Sequence, residues 1–164
     1  MTDLYYCCFF IFVLYYNNAA LLLSEKIGLS NIQTLMDKYS FTDSSLGTVN
    51  GSPVTTPIDI AIFLKDLYTG KLINPEYSKN MLELLRRQKL NSKLPKYLPG
   101  EVTVAHKTGE LDEFNHDAGI VFTLKGDYII VVMTESDIYS RAQVEDRIAL
   151  ISEGVYKYFT QDED

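Results

Sequence analysis

The sequence predicts an α+β fold: a helical segment, then a three-stranded antiparallel sheet packed by a long C-terminal helix. Three observations predict it. Up to Leu90, apolar residues recur at helical spacing between residues that start and stop helices. From 101 to 135, three short runs rich in β-branched residues follow one another, with turn residues between them. From 138 to 159 the apolar residues return to steps of three and four. Helices first, strands next and a covering helix last is the α+β order.

The first element is the apolar run "LYYCCFFIFVLYY" at 4–16. It is shorter than the roughly 18–20 residues of a membrane span. Asp3 precedes it and Tyr15-Tyr16-Asn17 follows it, so it has neither the basic start nor the small-residue end of a signal peptide. We read it as a buried core helix, although its composition is also strand-like. A mature exported domain that has lost its leader would look the same. Cys7 and Cys8 are adjacent, a spacing that suits neither a disulfide framework nor a zinc site, and read as small buried hydrophobes. From Asn17 the helical pattern continues to Ile27 and stops at Gly28, a C′ glycine.

"SNIQTLMDKYS" follows, with Ser30 and Gln33 spaced as a capping box and Ile32, Leu35, Met36 and Tyr39 on one face. Residues 40–55 are rich in Ser, Thr, Gly, Asn and Asp and read as a long loop. Thr56 as N-cap, Pro57 at N1, Asp59 in the first turn and Gly70 as the stop frame the next helix. Asn74, Pro75 and Glu76 repeat that grammar for another. Arg86-Arg87 falls at its end, where cations complement the helix dipole. "EVTVAHKTG", "HDAGIVFTL" and "DYIIVVMTE" are the strands, the last two joined by a tight turn at Lys125-Gly126. Val144, Ile148, Ile151, Val155 and Tyr158 give the final helix its apolar stripe, and the acidic tail "QDED" frays. The whole is one domain over 1–164, with 4–95 mostly helical and 101–160 forming the sheet and its helix.

The chain is 164 residues long, with 46% hydrophobic and 23% charged residues, an ordinary globular balance. Its net charge is −7 and it has no basic stripe, which excludes an electrostatic nucleic-acid binder. No metal or cofactor motif is present.

"AHKTGEL" at 105–111 is the segment that carries chemistry. On an edge strand, Lys107 supplies a charge and Thr108 a directed hydroxyl, a pair that suits a ligand carboxylate. Gly109 removes the side chain where a ligand must approach the backbone. The N–H of Glu110 is then free to polarise a carbonyl. The bland reading is an edge strand with a solvated lysine and a bend glycine.

The run from "VAHKTGEL" through "HDAGIVFTLKGDYIIVVMTE" resembles the K-T-G motif and following hairpin of the class A β-lactamase-like serine hydrolases, relatives of the penicillin-binding proteins. "TTPIDIAIFLKDLYTGKLINPEYSKNMLELL" looks like the family's middle helices, and "YYNNAALLLSEKIG" like the helix that begins at its S-x-N motif. The resemblance covers about residues 10–160. It implies that Asn17 and Lys107 are catalytic, with Asn17 taking the asparagine of S-x-N, Tyr16 the variable position and Tyr15 the serine. It implies that Lys107, Thr108, Gly109 and Glu110 line a carboxylate-recognising groove. The small-molecule partner implied is a β-lactam or a peptidoglycan-peptide carboxylate, and the location implied is the cell envelope or outside the cell.

Three departures follow. No Ser or Thr in the chain has a lysine three residues later, so the S-x-x-K nucleophile is absent. Tyr15 lacks the aliphatic hydroxyl of the family's S-x-N serine. The loop 40–55 has no E-x-x-L-N, whose glutamate activates the deacylating water in class A enzymes. The chain thus resembles the C-terminal portion of the family fold. Its expected function is that of a serine hydrolase family member inactive alone. The alternatives are a non-catalytic binding module, half of a two-piece complex with an N-terminal complementing fragment, or a truncated product without function. The resemblance also leaves the strand at 127–134 as a bare edge, inviting a homo-oligomer, with Ile130 the position to test by lysine substitution. His106 alternates with Lys107 and points to the other face. His116-Asp117 reads as polar anchoring at a strand start rather than part of a catalytic triad.

Overall fold

The computed structural model describes residue 22 and residues 24–45 and 53–161. The apolar run 4–16, Tyr15, Tyr16, Asn17 and Ser52 lie outside the described residues. The chain divides into two compact units, Met1–Leu84 and Leu85–Asp164. The element order is helices, three strands and a final helix, the α+β arrangement that the sequence predicts. No described helix is long and apolar enough to cross a membrane.

Among the described residues, the first unit holds three helices beyond the short helical stretch before Gly28. A helical turn at 24–27 ends at Gly28, whose φ of 85° is the left-handed conformation expected of a C′ glycine. The same glycine serves as N-cap of α1, Leu29–Lys38. Ser30 therefore lies inside the helix, and Gln33 donates to Asp37 at 3.1 Å instead of closing a capping box. Helix α2, Pro57–Tyr68, starts as its sequence requires: Thr56 Oγ1 accepts from the Asp59 N–H at 3.3 Å, with Pro57 at N1. Helix α3, Pro75–Leu85, has Asn74 Oδ1 accepting from the Tyr77 N–H at 2.9 Å. Asp59 does more than complement a dipole. It is buried, and its Oδ2 accepts from the Asp43 N–H at 2.9 Å and the Ser44 hydroxyl at 2.7 Å, which fastens the loop to α2.

The second unit is a three-stranded sheet in the order β1-β2-β3, with both pairs antiparallel. Its strands are β1 Thr103–Leu111, β2 Phe114–Phe122 and β3 Tyr128–Glu135. Strand β1 runs two residues beyond the glycine at which the sequence pattern ends it. The turn is made by Asp112, at φ 47°, and Glu113. The hairpin between β2 and β3 turns at Gly126, with φ 128°. The final helix, α4, is Arg141–Thr160. It begins with a capping box: the Ser140 N–H donates to Gln143 Oε1 at 2.9 Å. Arg86, just past α3, places its guanidinium over the Phe122 ring at 4.2 Å, so packing adds to any dipole effect there.

Side chains alternate along each strand, so the register decides which residues share a face. Val104, Val121, Tyr128 and Ile130 share the face that packs against Val144 and Ile148 of α4. Ile130 is thus a core residue, and a lysine there would enter the core instead of blunting an edge. On α4 the stripe read from sequence shifts by one flank: Ile151 and Tyr158 are exposed, while Ala149 and Ser152 are buried beside Val144 and Ile148.

Candidate functional site

Lys107, Thr108, Gly109 and Glu110 all lie in β1, which is an edge strand among the described residues. The pleat separates them. His106, Thr108 and Glu110 share the α4 face with Asp117, which pairs with Thr108 in the register. Lys107 and Gly109 occupy the opposite face, paired with Ala118 and His116. Lys107 is half-buried and donates to the Thr108 carbonyl. Burial holds its pKa below the ordinary lysine value. Asp117 pulls the other way, and Lys93 adds to the lowering. Thr108 is 1% exposed. A side chain added at Gly109 would rest against the His116 ring, with its Cβ 3.7 Å from the nearest atoms.

Beneath these residues, on the α4 face, lies a polar layer that sequence reading misses. His106 Nδ1 is 2.9 Å from Asp117 Oδ1, with both side chains buried. The sequence couples Asp117 with its neighbour His116, yet strand alternation turns those two apart and brings His106 to Asp117 from the facing strand. Asp117 Oδ2 also accepts from the Leu94 N–H at 3.1 Å. Gly119 lies opposite His106, and a Cβ there would sit 2.6 Å from the His106 Cβ and 2.7 Å from the Ala105 carbonyl oxygen, so glycine lets the two strands approach closely here. Lys93, in the loop before β1, is fully buried. Its ammonium donates to Glu110 Oε1 at 2.9 Å and to the His116 carbonyl at 3.1 Å. Arg141, the first residue of α4, pairs with the second carboxylate oxygen of Glu110. A lysine in the polar segment "NSKLPKYLPG" reads as solvated, and nothing in its local sequence reports the carboxylate seventeen residues on.

His116 differs from His106. Its Nδ1 accepts from the Thr134 N–H at 3.1 Å, so the ring is neutral with its proton on Nε2. Burial lowers its pKa, a hydrogen bond with the Asn115 backbone offsets part of that, and Lys93 adds a smaller lowering. Ser44 is buried and bonded to Thr55 and Asp59, with no lysine or histidine bonded to it among the described residues.

The fold recurs among solved structures. A β-lactamase from Sphaerobacter thermophilus DSM 20745 is 23% identical with a TM-score of 0.86 over 96% of this chain and 64% of its own. A class A β-lactamase from Bacteroides cellulosilyticus DSM 14838 is 22% identical, with a TM-score of 0.87 over 97% of this chain and 64% of its own. The penicillin-binding protein PBP-A is 22% identical, with a TM-score of 0.84 over 94% of this chain and 60% of its own. The chain thus spans less than two-thirds of the length of these proteins. No functionally curated protein is matched. The model of the β-lactamase enzyme family matches residues 16–159, nearly the whole chain, and this protein belongs to that family.

Proposed function

We propose that β1 forms the carboxylate-recognising wall of a penicillin-recognising serine hydrolase site. Lys107 meets the carboxylate of a β-lactam or D-alanyl peptide on the face away from α4, while Thr108, buried on the α4 face, contributes by holding the strand rather than through its hydroxyl. Gly109 admits the ligand backbone, and the Glu110 N–H polarises the carbonyl under attack. Asn17 contributes from the S-x-N position. The observation that carries this reading is Lys107, an ammonium held partly out of water on an edge strand, on the face away from α4. A partly dehydrated cation gains more from an anionic ligand than a solvated one does.

The acylated serine is not among these residues, since no Ser or Thr has a lysine three positions later. In this reading the isolated chain recognises the ligand without acylation, and the nucleophile comes from polypeptide equivalent to the remaining third of its relatives.

The test uses the isolated chain. It should neither hydrolyse a chromogenic cephalosporin nor gain the mass of one penicillin. NMR shifts on adding D-alanyl-D-alanine should centre on residues 105–111. Affinity should be millimolar at best, since one charged contact contributes about 1–3 kcal/mol. A penicillin adduct on Ser44, Ser45 or Ser52 overturns the absence of acylation. Shifts scattered elsewhere, or none, leave Lys107 an ordinary edge residue.

A further inference from the structure

The residues of β1 that alternate with Lys107 and Gly109 are held in an unusual way. A sheet face under a helix is ordinarily fastened by apolar packing, as Val104 is here. From His106 onward that face of β1 is polar, with His106 and Thr108 buried and Glu110 partly so. His106 bonds Asp117, Thr108 lies against the same strand position, and Glu110 is gripped by Lys93 from the preceding loop and by Arg141 from α4. Asp117 in turn holds the Leu94 N–H, next to Lys93. Loop, β1, β2 and the first turn of α4 therefore meet through one set of directional bonds. Directional bonds fix a strand's height and tilt more tightly than apolar contacts, which tolerate sliding. Replacing buried ion pairs by apolar groups is often neutral for stability, so stability alone gives little reason for such a layer.

We infer that Glu110, Lys93 and Arg141 form a clamp that positions the outer end of β1, making Glu110 and Lys93 positioning residues for the ligand-binding strand. The inference rests on the reading of β1 as that strand. The clamp holds the backbone of Gly109 and Glu110 from behind while Lys107 and Gly109 face the other way. It also depends on the charge of Lys93. Burial pushes the Lys93 ammonium down to about 8, opposed by Asp117 and Glu145 and assisted by Arg141. The charged and titratable groups around it are Glu110 on β1, Asp117 and His116 on β2, and Arg141 and Glu145 on α4, with Lys107 also within electrostatic range. Loss of the Lys93 proton leaves Glu110 with Arg141 as its one cationic partner in the layer and loosens the strand end.

The experiment is amide hydrogen exchange on the full chain without ligand, with intrinsic pH effects divided out. In Glu110→Gln, protected amides of 107–111 should exchange about tenfold faster or more, while those of 118–121 and 128–132 keep their wild-type protection. In the wild type the same local loosening should appear as pH rises through about 8, and Lys93→Met should be loosened at every pH without that step. A uniform rise across the whole sheet would mean that the layer only adds stability, and unchanged protection at 107–111 would mean that it holds nothing; either overturns the inference. If Glu110→Gln does not fold, the wild-type pH step and its loss in Lys93→Met decide alone. D-Alanyl-D-alanine titration is the separate arm. Its absence in the wild type counts against the carboxylate reading, while the exchange data still judge the clamp.

Discussion

Removing the hydroxyl of Tyr128 should make the protein more stable. Tyr128 is 6% exposed, and its ring stacks on Phe159 with centroids 4.6 Å apart and planes 21° apart. Its hydroxyl is buried and bonds to nothing among the described residues. Folding therefore strips water from this group without replacement, which costs about 1–3 kcal/mol. Tyr128→Phe keeps the ring contacts and removes the orphan, so a gain of about 1–2 kcal/mol is expected, or about 2–4 °C in Tm per kcal/mol for a chain of this size. The alkaline limb gives an independent check. Burial, helped by Tyr156, pushes the Tyr128 pKa up to about 12. An unfolded tyrosine ionises near pH 10, so between about pH 10 and 12 the unfolded chain has lost a proton that the folded chain keeps. Stability then falls with rising pH, at up to about 1.4 kcal/mol per pH unit. The other tyrosines titrate in both proteins, so the difference between wild type and Tyr128→Phe isolates this one. Urea midpoints at pH 7 and across the alkaline limb measure both effects. A lower midpoint for the variant with an unchanged m-value would refute the reasoning, because it would mean that the hydroxyl has a partner worth keeping.

Asp117→Ala should be severe: it strands the His106 ring nitrogen and the Leu94 N–H together, at a cost of about 3–5 kcal/mol, and a loss under about 1 kcal/mol in urea melts would show that the pair is not the hub of its layer. Gly119→Ala should cost about 1–3 kcal/mol, because its Cβ would meet the His106 Cβ at 2.6 Å and the Ala105 carbonyl at 2.7 Å; wild-type stability would mean that the two strands can part there at no cost. His116 is expected to weaken the fold in mild acid. Its folded pKa lies below the unfolded value near 6.5, so the unfolded chain takes up the proton first and stability falls as pH drops below about 6.5. His116→Gln should flatten that part of the stability–pH curve, and an unaltered curve would clear His116 of the effect.

What the sequence made legible was whatever is encoded within a few residues. Thr56-Pro57 and Asn74-Pro75 start helices because an N-cap oxygen and a proline at N1 act locally, and both caps form. The β-branched runs became the three strands with small shifts at their ends. What was hidden depends on register or on competition. Ser30 and Gln33 have capping-box spacing, yet Gly28 takes the N-cap two residues earlier than that spacing implies. Ser152 displaces Ile151 from the buried side of α4, because the sheet determines which flank of a broad apolar stripe is covered. The K-T-G segment was readable as a candidate only together with the hairpin and helices that flank it, since the three residues alone also suit an ordinary edge strand. The layer behind it was not, since His106 meets Asp117 only after the hairpin has closed in one register, and Lys93 is buried only by partners far along the chain.

The pairing of His106 with Asp117 across the hairpin also bears on how the chain avoids mistakes while folding. The β1 run "VTVA" and the β2 run "GIVF" are nearly interchangeable one residue either way as far as greasiness goes. A hairpin of such segments could close out of step and still bury oily surface. Out of step by one, β1 would turn Lys107 toward the helix and His106 away from the aspartate, and Asp117 would be sealed in with no counter-group. Misaligned chains would therefore stall before α4 can dock, and reopen. In this view the charged layer acts as a proofreader, rejecting a wrong alignment at the step where the helix arrives.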